Sequence, residues 1–252
     1  MFDMGKWLIR LLKTKAVYVQ LKKYVENEEA LAVHKQSIYT LQFTDKEEPA
    51  IVWEGEIVEE FRASAHSDLN DAFEHFASLM IVTAATYVEN MFSEFFYELF
   101  VVHPKRMHDY IVDEDAKAQK GYVKLVEILE EKDISALMSR LSQRASKLAS
   151  NGSAKKVIRR IIELSSRQID ASIVDRVQEI MDKRNEIVHE GKRLQIDKID
   201  IDATYDTLHA LLKELGLACK SGGLPYEDPA HIIDLRPEIT YVDWDEFQDS
   251  DT

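Results

Sequence analysis

The chain has 252 residues, 45% apolar and 31% charged, with eight Gly, five Pro and one Cys. That length allows a sizeable core, the scarcity of Gly and Pro favours helices, and a lone Cys219 excludes an internal disulfide and fits a reducing cytoplasm. The net charge of −14 argues against a nucleic-acid partner only if it is evenly spread, and it is not: residues 225–252 carry nine acids against Arg236, whereas residues 139–167 carry eight bases against Glu163.

Lys6, Arg10 and Lys13 interrupt the apolar N-terminus, so no secretory signal is expected there. The most apolar run, residues 76–88, holds 13 residues without a charge, short of the roughly 20 that a bilayer requires. Residues 4–30 place Trp7, Leu8, Leu11, Leu12, Tyr18, Leu21 and Val25 at helical spacing. This predicts a helix packed on its own domain with solvated lysines, with a membrane-surface role as the alternative. Residues 37–43 and 50–57 are β-branched and aromatic around a turn-like 44–49, which reads as a hairpin.

The longest helical segment is 67–103, stopped by Pro104 and apolar on most faces over 76–102, as a central helix would be. Glu89 shares a face there with Ala85, Phe92, Ser93 and Phe96. It is either an exposed edge residue or the partner of a buried cation such as Arg184. Three helices follow at about 117–131, 134–149 and 154–167, the last two parted by Asn151-Gly152-Ser153. Their basic excess is a solvated face or a phosphate-tracking surface.

Residues 170–191 read as one helix, with Ser172 and Asp175 as a capping box and Gly191 as a left-handed stop. Ile173, Val177, Ile180, Met181, Ile187 and Val188 give it apolar spacing, and Arg184 falls on that stripe. A cation so placed needs a hydrogen-bonding partner or an interface. A helix over 203–215 ended by Gly216, a linker at 221–225 and an acidic tail complete the chain.

No phosphate-cradling Gly-rich loop, zinc-type Cys/His set or His-Glu-x-x-His occurs, and His66, His75, His103 and His108 are not spaced as metal ligands on one helix face. What remains is Arg184-Asn185-Glu186-Ile187-Val188-His189 at a helix end. With the long apolar helix bearing Glu89 upstream, it resembles the HEPN superfamily, whose hallmark is Arg, four to six residues, then His, often with Asn after the Arg.

The resemblance covers about residues 67–216 and implies a mainly α fold, a HEPN-like helical bundle with a small N-terminal β-hairpin appendage. The corresponding division is 1–60 for the appendage, 61–218 for the helical domain and 219–252 for the tail. Many members are metal-independent endoribonucleases without cofactor, toxins or antiviral defence effectors, acting as dimers that share one cleft. A homodimer with a composite site, RNA as substrate and an antitoxin or defence-system partner are therefore the implied partners. One departure stands out: members paired with nucleotidyltransferase antitoxins carry Tyr two residues after the His, where this chain has Gly191.

Positions five apart on a helix point about 140° from each other, so Arg184 and His189 of one chain are not an adjacent pair. Two copies about a two-fold axis bring two of each around one phosphate. In that setting histidine moves the protons and the forked guanidinium holds the phosphate oxygens. By resemblance, Arg184 and His189 are catalytic, Asn185 orients His189 or binds phosphate, and Glu89 holds Arg184. Lys155, Lys156, Arg159, Arg160, Lys192 and Arg193 are the expected RNA contacts. A non-catalytic HEPN module, binding RNA or protein and serving dimerisation, is the competing expectation.

Overall fold

A computed structural model describes residues 1–43, 49–111, 123, 125–190 and 200–233. The fold is mainly α, as the resemblance implies. A 47-residue helix, α3 (Glu56–Val102), about 70 Å long at 1.5 Å per residue, runs through its centre. Around it pack α1 (Met4–Val25), α5 (Ile134–Ala149), α7 (Ala171–Glu190) and α8 (Ile201–Ser221). The outer elements are α2 (Glu28–Gln36), a 3₁₀ helix (Pro104–Tyr110), α4 (Leu125–Leu129) and α6 (Ala154–Ser165).

The core follows the apolar run of α3. Ile81, Ala84, Ala85, Val88, Met91, Phe95, Phe96, Leu99 and Phe100 are wholly buried, with Leu208, Leu211, Leu212 and Leu215 of α8 and Ile158 and Ile161 of α6 in the same cluster. The small Ala84 and Ala85 let neighbouring helices approach closely where α3 is covered on several sides.

The expected long helix begins earlier than residue 67. Arg62 explains how: Nε donates to Lys35 O at 3.1 Å and Nη2 to Trp53 O at 3.0 Å, tying the first turns of α3 to the segment before it. Val58 and Ala65 are buried there. The expected hairpin is present as β2 (Thr40–Phe43) paired antiparallel with β3 (Pro49–Val52). Its second strand is shorter than expected because residues 56–57 already belong to α3.

The single N-terminal helix expected over 4–30 is two. Asn27 accepts from Ala30 N at 2.8 Å and so caps a new helix, α2, after α1 has ended. Trp7, Leu11 and Tyr18 of α1 lie in the common core, and Tyr18 stacks on Phe73 and Phe76 of α3. The division expected at residue 60 falls inside α3.

Gly216 does not stop α8, which continues to Ser221. A Cβ at Gly216 would run into the Met4 thioether and meet Ile233, so its bareness serves close packing within the helix. The stretch read as linker and start of the tail is likewise packed. Strand β1 (Phe2–Asp3) pairs in parallel with β4 (Tyr226–Glu227), Leu224 and Ile232 are buried, and the Asp228 carboxylate accepts from Ile232 N and Ile233 N. Residues 117–122 and 124 of the helix expected at 117–131, Gly191 and the tail from residue 234 lie outside the described residues.

Candidate functional site

Helix α7 is capped by Asp170, not by the Ser172 box expected from sequence. Asp170 Oδ1 accepts from Ser172 N at 2.7 Å, and Asp170 O accepts from Ile173 N and Val174 N. An aspartate one residue before the helix reaches the free N–H groups at shorter range than a serine already inside the first turn. Hydrogen bonds from the Ser172 hydroxyl and then its backbone N–H hold the Asp170 carboxyl below its ordinary range.

The first half of α7 is fastened to α6. Lys155 Nζ lies 2.7 Å from Asp175 Oδ1, which raises the Lys155 pKa, and Lys155 N donates to Gln178 Oε1 at 3.2 Å. Gln178 in turn donates to Asp182 Oδ1 at 2.8 Å. Val177 and Ile180 are the buried residues of this helix, and Ile173, Val174, Met181 and Ile187 pack partly against the core. One face of α7 is thereby fixed, while near its C-terminal end Asn185, Val188 and His189 are exposed.

The Arg-x4-His motif occupies that end of the helix. Arg184 is half-buried and donates from Nη1 to Asn185 Oδ1 at 3.0 Å, while Asn185 and His189 are exposed. Val188, between them, is an aliphatic side chain left 50% exposed. The intrachain contact expected between Arg184 and Glu89 is not formed. Glu89 is exposed and lines a cleft of about 240 Å³ with Phe92, Met181, Lys147 and the Asn151–Gly152 turn. Met181 stands three positions before Arg184, hence on the same face of α7, so the Glu89 cleft opens within a turn of the motif.

Several of the expected RNA-contacting cations are engaged within the chain. Arg160 donates to Ala149 O at 2.7 Å and Asn151 O at 2.6 Å, capping the end of α5, and Arg159 pairs with Glu163 at 3.0 Å. Lys155 is held by Asp175 as described, Lys156 is exposed, and Lys192 and Arg193 lie outside the described residues. Lys147, which the sequence did not single out from the basic run, is the cation that shares the cleft with Glu89. Its signal was its place one turn before the Asn151 break.

Among the described residues no three His, Cys, Asp or Glu side chains are grouped to hold a metal ion, and no helix is long and apolar enough to cross a membrane. A family model described as RiboL-PSP-HEPN matches residues 50–221, more than half of the chain, and spans the α7 motif and α3 together. No curated protein and no solved structure matches significantly.

Proposed function

The chain belongs to the RiboL-PSP-HEPN family, and on that premise we propose that α7 carries half of a metal-independent endoribonuclease site, completed by a second copy of the chain. The observation that carries this reading is the exposure of the motif side chains among the described residues. Arg184 bonds only its neighbour Asn185 among the described residues, His189 is exposed, and Val188 lies bare between them. An aliphatic residue flanked by a cation and an imidazole suits a self-complementary two-fold contact, with Val188 at its dry centre and the polar groups around it.

In such a dimer one His189 takes the proton of a ribose 2′-hydroxyl as that oxygen attacks the adjacent phosphorus. The other His189 speeds departure of the 5′-oxygen by protonating it, a role that water fills more slowly when only one histidine is present. The Arg184 pair stabilises the extra charge on the pentacoordinate phosphate, and Asn185 holds its neighbouring guanidinium in register. The products are a 2′,3′-cyclic phosphate and a 5′-hydroxyl, and DNA, lacking the nucleophile, is resistant. Lys147, which lines the Glu89 cleft, and the exposed Lys156 serve flanking phosphates, and Lys192 and Arg193 extend the series. The biological setting is that of a toxin or antiviral defence effector, held in check by an antitoxin or a defence-system partner.

The test is incubation of the full chain with RNA in EDTA. Cleavage with cyclic-phosphate ends, abolished in Arg184→Ala and in His189→Ala, supports the enzyme. RNA left intact under every condition, activating partners included, refutes it and leaves a non-catalytic module that binds RNA or protein and dimerises.

A further inference from the structure

A second and larger cleft, of about 590 Å³, lies between α1, α3 and α5, and the motif on α7 contributes no residue to it. Its floor is organised around Glu94. That carboxylate receives Asp3 N at 3.2 Å and Trp7 Nε1 at 3.0 Å, and Lys6 Nζ lies 2.5 Å from it. Trp7, 2% exposed, is thereby locked, and the Arg10 guanidinium lies over its ring at 4.9 Å. Among the described residues Arg10 has no carboxylate partner, so the Lys6–Glu94 pair cancels and the cleft keeps one positive charge.

Two further groups face the same space without a hydrogen-bond partner among the described residues, the carboxamides of Asn90 on α3 and Gln143 on α5. A carboxamide offers a donor and an acceptor side by side, the pattern that reads the edge of a nucleobase. A guanidinium held against an aromatic ring is a preorganised fork for phosphate, or a plane on which a base stacks. The volume lies within the range of small-ligand pockets and suits one nucleotide.

We propose that this cleft is a second nucleotide-binding site, in which Arg10 takes the phosphate and Asn90 and Gln143 read the base. The same chemistry serves one unit of an RNA strand running past the α7 site or a free nucleotide. Only the first source rests on the endoribonuclease reading.

The test uses the full chain carrying His189→Ala, with a labelled single-stranded 12-mer RNA followed by anisotropy, and with 5′-AMP and inorganic phosphate followed by calorimetry. Arg10→Glu is expected to weaken binding at least tenfold, and Lys13→Glu, an exposed change on the same helix outside the cleft, only slightly. Gln143→Ala is expected to weaken RNA or AMP but not inorganic phosphate. An Arg10 effect confined to RNA identifies the strand as the source, and one on AMP identifies a free nucleotide.

Equal losses in Arg10→Glu and Lys13→Glu, or no loss in Arg10→Glu and Gln143→Ala with unchanged thermal melting, overturn the site. RNA binding lost only in Arg184→Ala overturns it while sparing the α7 reading. Arg10-dependent AMP binding in a chain that never cleaves RNA does the reverse.

Discussion

Arg184 donates to the side-chain oxygen of Asn185, its neighbour in sequence, and leaves Glu89 on the adjacent helix without that guanidinium. Asn185 is thus a local brace that sets where the forked cation points. Asn185→Ala should lower RNA cleavage by about tenfold, the scale of one hydrogen bond to a charged group, against a near-complete loss in Arg184→Ala. Glu89→Gln should change turnover little in comparison. Single-turnover rates on one labelled RNA check the ranking, and a Glu89→Gln defect as deep as that of Arg184→Ala would show that the carboxylate meets the guanidinium in the working dimer.

The proposed sharing of the cleft between two copies makes a distinct prediction for mixtures. A dimer of one Arg184→Ala chain and one His189→Ala chain keeps one arginine and one histidine, on different copies. Mixing two inactive proteins after subunit exchange should therefore restore measurable activity in the roughly half of dimers that are mixed. Mixtures as inactive as their parents would mean that both histidines are required together or that the cleft is not shared.

Gly5 offers a test of packing against propensity. It sits in the first turn of α1, where Ala would ordinarily favour the helix by close to 1 kcal/mol. A Cβ there would collide with the Pro229 ring, whose Cδ lies 3.0 Å from the ideal position. Since a proline ring cannot swing aside as a flexible chain end does, Gly5→Ala should destabilise the fold by about 1–3 kcal/mol. A raised melting temperature in Gly5→Ala would show that the 224–233 segment is not docked on α1.

His209 on α8 has a buried Nε2 without a hydrogen-bond partner among the described residues. Burial pushes its pKa down, opposed by Asp206 and aided by Lys213 and Lys15. A folded-state pKa below the unfolded value means that the unfolded chain binds the proton more readily. Its neutral form therefore favours the fold fully above about pH 6.5, and that contribution is lost as the pH falls below it. In His209→Leu the melting temperature should fall less than in wild type between pH 7 and pH 5; equal slopes would refute the assignment.

Truncation must respect the packed segment 224–233. Ending the chain after Gly222 removes Leu224, Ile232 and the β4 partner of Phe2, all part of the packed structure, and should lower the melting temperature by several degrees or more. Ending it after Ile233 leaves these contacts in place. Only the second truncation tests whether the acidic residues beyond compete with RNA for the basic surface. Tighter RNA binding at low salt would support that competition, and unchanged binding would refute it.

The mainly α fold, the central helix, the hairpin and the Arg184-x4-His189 motif were legible from sequence because each depends on local periodicity or on adjacent residue types. The uninterrupted apolar run at 76–88 could belong only to a helix covered on several sides, and the spacing of Arg184 and His189 already implied two different faces. What tertiary structure decided was every matter of partnership. Whether Gly216 ends a helix or admits Met4, whether Arg160 meets phosphate or caps α5, and whether Glu89 holds Arg184 depend on neighbours distant in sequence. The cleft that gathers Lys6, Arg10, Asn90 and Gln143 comes from three separate helices. No period or spacing records it, because side chains converge there only after α1 and α5 have packed on α3.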